Sequence, residues 1–175
     1  MTTGPSMARH RNAILQRDSL NGNKRNYIGR PHARMGALVK ASLDDVKTGG
    51  FVGVTSLPDE NGNQKALEIH IFPEALRGTG EGQRPWDVKP DGVMTNATVG
   101  TVSQSPDGGV IHVTYKGGES EYSVGGDVLI LLYVADDRSL LKPGAALFLL
   151  ALKKPDGTLT ANRVTAEKDG VKPPF

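Results

Sequence analysis

The chain has 175 residues and a formal net charge of +2, and its 22 glycines and 11 prolines favour many turns between short strands. It contains no cysteine, which excludes structural disulfides, thiolate catalysis and cysteine-ligated zinc. No apolar run approaches the roughly 18 residues that a membrane-spanning helix needs, so the sequence predicts no transmembrane helix.

Basic residues dominate the start of the chain. Residues 1–40 hold eight lysines and arginines against one acidic residue, Asp18. Such a run favours either an arm for an anionic surface or a solvated terminus with little packing. We interpret residues 1–36 as a basic N-terminal segment in which residues 13–28 are a candidate partial hairpin of a first barrel. The segment lacks the apolar core of 7–15 residues that marks a secretory signal.

An internal repeat emerges when the chain is shifted along itself by 95 residues. Residues 37–71 then align with residues 132–166 without a gap. Asn61-Gly62 falls on Asp156-Gly157, and both dipeptides favour tight hairpin turns because the central residues of a type I′ turn have positive φ. The sequence therefore predicts two copies of one β-unit.

The second copy shows the whole unit. Short alternating or apolar segments are separated by glycine-containing turns, which is typical of strands. The predicted strands are Ala97–Ser103, Val110–Tyr115, Glu119–Val124, Val128–Val134, Ala145–Leu152 and Thr158–Thr165. Six short strands with regular turns favour a small barrel of the OB-like or SH3-like kind.

The predicted fold is therefore all-β, with two repeated small β-barrels joined by a Gly/Pro-rich hinge. The first β-unit covers residues 37–71, the hinge loop 72–94 and the second barrel 95–175. Residues 2–9 show no match to the opening strand of the second barrel, so either the first barrel lacks that strand or the true start of the chain lies upstream. A missing strand exposes a ladder edge, which makes self-association with another chain a further prediction.

Three segments, residues 37–47, 68–87 and 94–99, resemble an uncharacterised family of exported proteobacterial proteins built from repeated OB-like β-domains. The resemblance implies an all-β fold and a periplasmic location, and it brings no known catalytic residues. The chain itself carries no signal peptide. If its start is genuine, the expected location is the cytoplasm.

The hinge loop holds the densest group of candidate binding residues. Its Gly78-Thr79-Gly80-Glu81-Gly82 run is not a dinucleotide fingerprint, because the third glycine comes one residue early and Arg84-Pro85 follows instead of a helix. Either the loop grips a ligand through its aromatic and charged side chains, or it is a linker whose tryptophan caps a barrel core. The candidate binding residues are Glu74, Arg77, Glu81, Arg84, Trp86 and Asp87.

The sequence gives little support for a catalytic site or a metal site. Glu68 and His70 share one face of an alternating segment and are weak candidates for a metal site with a third group from the hinge. The pairs Asp44-Asp45 and Asp136-Asp137 are predicted to stabilise turns through their own side chains. No serine lies in a nucleophile-elbow context. We predict no catalytic residues, no cofactor and no enzymatic activity.

The predicted function is that of a non-catalytic exported binding or scaffolding protein, whose partner is another protein or a small ligand at the hinge loop. The alternative is an OB-type nucleic-acid-binding protein that uses the basic N-terminal segment. Single strands are usually bound by stacking on aromatic side chains, and the candidates are Tyr115, Tyr122 and Tyr133. Nucleic-acid binding is therefore expected to be weak at most.

Overall fold

The computed structural model describes residues 13–19, 34–86, 90–136, 138–142, 144–153 and 159–173. Within these ranges the regular structure consists of eleven strands and three 3-10 turns, with no α-helix, so the predicted all-β class is confirmed. The strands are β1 (Ala13–Ser19), β2 (Arg34–Lys40), β3 (Phe51–Pro58), β4 (Gln64–Phe72), β5 (Gly82–Pro85), β6 (Val93–Ser105), β7 (Gly108–Tyr115), β8 (Gly118–Gly125), β9 (Leu129–Ala135), β10 (Ala146–Lys153) and β11 (Leu159–Ala166). The turns are Leu43–Asp45, Glu74–Leu76 and Arg138–Leu140. Nothing helical in the described part of the chain has the length and apolar character needed to cross a membrane.

The strands fall into two compact units. The larger, which we call the barrel unit, comprises Ala37–Ala135 with Lys168–Val171. The smaller unit comprises Asp136–Glu167 with the described residues of Met1–Gly36 and Lys172–Phe175. In the smaller unit β10 pairs antiparallel with both β1 and β11. Its buried apolar residues are Leu147, Leu149, Val164 and Ala166.

Five strands of the barrel unit close into a ring. Strand β3 pairs antiparallel with β4 and β6, β6 pairs with β7, and β7 pairs with β8. The ring closes where β8 meets the start of β4 in parallel, at Gln64–Tyr122 and Lys65–Ser123. Further along, β4 pairs in parallel with β9. Closure leaves the five strands with no long unpaired ladder, which is how small barrels avoid exposed edges.

The barrel core follows from the alternation of side chains along its strands. Every second residue points inward, and the inward set is apolar: on β7, for example, Ile111 and Val113 are buried while Thr114 is exposed. The core comprises Val46, Val52, Val54, Ala66, Ile69, Ala97, Val99, Ile111, Val113, Tyr122, Val124 and Ile130. These are mainly β-branched and small residues, which suit the interior of a narrow barrel.

The predicted Asn61-Gly62 turn joins β3 to β4. Gly62 has φ +84°, a conformation that glycine adopts without steric cost. The Asp59 carboxylate accepts hydrogen bonds from the backbone N–H groups of Asn61 at 2.9 Å and Asn63 at 2.8 Å. The hairpin is therefore closed by an aspartate bonding to its own turn, as the sequence chemistry favours.

The arrangement of two barrels joined by a hinge is not confirmed. The closed ring takes β3 and β4 from the predicted first unit and β6, β7 and β8 from the predicted second barrel. The predicted hinge contributes β5, which pairs antiparallel with β6. Residues 13–19 form β1 and pair with β10, whereas the rest of the candidate N-terminal hairpin lies outside the described residues. Alternation along the sequence identifies strands but does not specify which strands pair with each other, so the closed ring could not be predicted from the sequence.

The two units contain hairpins of the same register. In the β3–β4 hairpin Val52 lies opposite Ile71, and in the β10–β11 hairpin Leu147 lies opposite Ala166. Each hairpin shifts register once, after Thr55 in β3 and after Leu150 in β10. All of these positions correspond under the 95-residue shift found in the sequence.

Candidate functional site

The segment between β4 and β6 is ordered against the barrel over most of its length. After Phe72 the chain makes a 3-10 turn, a run of further turns and then β5. The backbone of Trp86 continues the pairing, since its N–H donates to the carbonyl of Gly92 at 2.7 Å. Asp87 lies outside the described residues. The other five candidate binding residues therefore lie on residues 73–86, a segment bonded to the barrel that we call the strap, rather than on a free linker.

Glu74 and Arg77 bind each other and the turn that precedes β3. Arg77 donates to both oxygens of Glu74, at 2.6 and 2.7 Å, and its Nη2 donates to the carbonyl of Gly49 at 2.8 Å. Its guanidinium lies 6.0 Å from the centre of the Phe51 ring. The hydrogen bond between the two side chains lowers the pKa of Glu74 and raises the pKa of Arg77. This pair fastens the strap to the barrel through intramolecular bonds.

Glu81 and Arg84 also have intramolecular partners. Glu81 accepts a hydrogen bond from the backbone N–H of Lys116 at 3.2 Å, in the turn between β7 and β8. Arg84 donates to the carbonyl of Gly80 at 2.9 Å, and its guanidinium lies 5.6 Å from the centre of the Trp86 ring. Burial lowers the pKa of Arg84. A cation over an aromatic face holds both side chains in place.

Gln83, which the sequence did not single out, reaches the barrel interior. Its Nε2 donates to Thr95 Oγ1 at 3.2 Å, and the Tyr122 hydroxyl donates to the same oxygen at 2.7 Å. Thr95 and Tyr122 are fully buried. Their polar atoms avoid the cost of unpaired burial because they bond to each other and to the strap.

An open groove lies where β3 ends and β6 begins. Val93, the first residue of β6, pairs with Ser56 of β3 on one side and with Pro85 of β5 on the other. The groove has a volume of about 520 Å³. We call it the Trp86 groove, and it is lined by Pro58, Gln64, Pro85, Trp86, Pro90, Asp91, Gly92 and Val93.

One polar side chain of the groove is held in position by the fold. Ser56, which is fully buried, donates its hydroxyl to Gln64 Oε1 at 2.8 Å. Asp91 is exposed, and its backbone has φ +63°, a left-handed conformation that few residues other than glycine and Asn or Asp adopt. Neither Gln64 nor Asp91 was singled out from the sequence, because both belong to turn or strand-end segments where such residues are common. Asp91 is close to Trp86 along the chain, whereas Gln64 comes to the groove through the pairing of β3 with β4 and β6.

Glu68 and His70 are neighbours on β4 and both are buried. His70 Nε2 contacts Glu68 Oε1 directly, and the His70 ring packs edge-on against Phe72 with centroids 6.4 Å apart. Glu74, which the sequence placed near this pair, is exposed and bound to Arg77. Among the described residues no group of three His, Cys, Asp or Glu side chains could hold a metal ion.

Asp45 stabilises a turn, as its sequence context predicted. It accepts hydrogen bonds from the backbone N–H of Ser42 at 2.9 Å and from its hydroxyl at 3.0 Å. The backbone hydrogen bond is the main cause that lowers the pKa of Asp45. A carboxylate held ionised in this way is an acceptor for the turn and not a general acid.

The three tyrosines considered for base stacking are engaged in the fold. Tyr122 is fully buried in the core, and Tyr133 is 9% exposed and packs on Phe72 with ring centroids 6.2 Å apart. Tyr115 is half-buried and its hydroxyl lies 3.2 Å from Ser120 Oγ. These rings do not form an exposed stacking platform.

Comparison with known proteins gives no relative: no family model, no curated protein and no solved structure matches the chain.

Proposed function

We propose that the protein is a non-catalytic binding protein whose contact surface is the Trp86 groove. The observation that carries this proposal is the groove itself, which combines the one tryptophan of the chain with proline rings and two polar side chains, those of Gln64 and Asp91. Binding sites are typically concave and apolar, with a few polar groups in fixed positions. The strap residues Arg77, Glu81 and Arg84 support this surface, because their bonds hold the strap on the barrel.

The absence of catalysis is part of the proposal. Carboxylates that act as general acids at neutral pH need raised pKa values, usually through burial. Asp45, Asp59 and Glu74 each have a lowered pKa. Hydrogen bonds from neighbouring groups keep them ionised, which suits structural acceptors.

Trp86 supplies the test, because it is the only tryptophan and its emission reports on the groove alone. The purified protein is titrated with oligosaccharides, proline-rich peptides and single-stranded oligonucleotides while Trp86 emission is recorded. The proposal expects a saturable change with at least one of these ligand classes, and mass spectrometry should recover that ligand unchanged. Chemical conversion of the bound ligand, or no response to any class, would refute it.

We also propose that residues 37–71 and 132–166, which contain the β3–β4 and β10–β11 hairpins, derive from an internal repeat. The matching register of the two hairpins and the equal position of their bulges support this, since bulges are positioned features of a strand pair. Export to the periplasm remains a proposal that rests on the family resemblance. Cell fractionation of the native host tests it, and recovery with cytoplasmic markers would contradict it.

A further inference from the structure

We propose that the Trp86 groove binds a neutral saccharide, an inference that rests on the proposed binding function and names its ligand class. The first argument is the apolar surface. Trp86 shares the groove with Pro58, Pro85 and Pro90, whose flat rings add to the apolar area. The negative face of an aromatic ring attracts weakly positive C–H groups, such as those on one face of a pyranose.

The second argument is an oriented hydrogen-bond donor. Gln64 Oε1 is occupied by the hydroxyl of Ser56 at 2.8 Å, so the orientation of the amide is set from inside the barrel. A glutamine amide has two donors on Nε2 and one acceptor oxygen. The Ser56 hydroxyl occupies one of the two acceptor positions of the oxygen, and Nε2 is the donor that Gln64 has for a ligand. A fixed donor costs a ligand little ordering free energy on binding.

The third argument is an acceptor among the lining residues. Asp91 is exposed and belongs to the turn that leads into β6. A carboxylate accepts hydrogen bonds through both oxygens, which matches a pair of adjacent hydroxyl donors. Hydroxyl groups both donate and accept, so a polyhydroxylated ligand suits a groove that offers both a donor and an acceptor.

The described lining suits a neutral ligand. Among the described lining residues Asp91 is the charged one, and the guanidinium of Arg84 lies 5.6 Å from the centre of the Trp86 ring. A neutral polyhydroxylated ligand satisfies the donor, the acceptor and the apolar face together.

The test uses the full chain and Trp86 emission. Cello-, malto- and chito-oligosaccharides of two to six units are titrated separately. We expect at least one series to give a saturable change in Trp86 emission. Gln64→Glu keeps the acceptor for Ser56 and removes the donor, and it should weaken binding at least fivefold. Asp91→Asn should weaken binding at least threefold. The matched controls, Gln104→Ala and Asp107→Asn, change exposed residues away from the groove and should leave affinity unchanged.

Thermal melts of each variant separate loss of binding from loss of folding. A variant that melts like the wild type but binds weakly supports the inference. Saccharide binding that Gln64→Glu and Asp91→Asn leave unaltered would overturn it, because the ligand would then lie elsewhere. A response to a proline-rich peptide with none to saccharides would overturn the saccharide assignment and leave the binding function standing. No response to any class would overturn both.

Discussion

Gly53 occupies a position where the barrel admits no side chain. It lies on β3 opposite His70 of β4 and opposite Asn96 of β6. A Cβ built at Gly53 would lie 2.8 Å from Asn96 Oδ1 and 3.0 Å from Phe72 Cε2. Contacts this short require a neighbour to move. Gly53→Ala is therefore expected to destabilise the barrel unit.

The Asn96 side chain cannot move away from an added Cβ without losing a hydrogen bond. Its Nδ2 donates to the carbonyl of Thr79 at 2.9 Å, which ties the strap to β6. Overpacking in a core costs about 1–3 kcal/mol and a lost hydrogen bond about 1 kcal/mol, against a gain of about 0.5–1 kcal/mol from replacing glycine in a strand. The expected net loss of unfolding free energy is about 1–3.5 kcal/mol.

Urea unfolding followed by Trp86 emission measures this loss, because the only tryptophan lies in the barrel unit. Gly126→Ala is the matched control, since its added Cβ would meet no atom closer than 3.8 Å. The Asn96→Ala background removes Oδ1, so the cost of Gly53→Ala should fall there by at least about 1 kcal/mol, the coupling expected for contacting residues. Equal stability of Gly53→Ala and Gly126→Ala, or an unchanged cost in the Asn96→Ala background, would refute the steric reasoning.

Three further predictions concern pH, metal and nucleic acid. The lowered pKa of Asp45 means that its ionised form stabilises the fold. This contribution to the unfolding free energy is present above the ordinary pKa of 3.8 and is lost as pH falls through the lower folded value. Asp45→Asn should therefore flatten the acid limb of a stability–pH curve, and a limb identical to that of wild type would contradict the prediction. Thermal melts with and without a strong chelator should coincide, and a drop of many degrees would show a metal that supports folding. Single-stranded DNA should bind weakly and only at low salt through residues 1–40, because electrostatic contacts weaken steeply with salt; sub-micromolar binding at physiological salt would favour the alternative function.

Strand positions were largely predictable from local pattern. Alternation and glycine turns placed strands at residues 110–115 and 119–124, and the structure has β7 and β8 there with bounds extended by one or two residues. The Asn61-Gly62 hairpin was predictable from the same kind of local signal. The turn type was not, because Gly62 has positive φ but Asn61 does not, whereas a type I′ turn needs positive φ at both residues. These signals are local because side-chain direction and turn conformation depend on adjacent residues.

The candidate site was only partly predictable. The sequence identified Trp86 and the charged residues of the strap as candidate binding residues, because such side chains are unusual in a glycine-rich segment. The sequence did not predict that these residues hold the strap on the barrel, because Arg77 bonds to Gly49 and Glu81 bonds to Lys116, which are far away in sequence. Gln64 and Asp91 were missed altogether, since neither residue type is unusual at a strand end or in a turn.

The amino-acid sequence by itself determined an all-β chain, its strand segments and a 95-residue correspondence between two of its parts, because alternation, turn chemistry and self-similarity are written along the chain. The tertiary structure decided that β4 and β8 meet in parallel, that the predicted hinge supplies a strand paired with β6, and that Gln64 lies beside Trp86. The physical reason is that strand pairing uses backbone groups common to all residues. Which strands pair is therefore decided by the arrangement that buries the apolar faces of all the strands together.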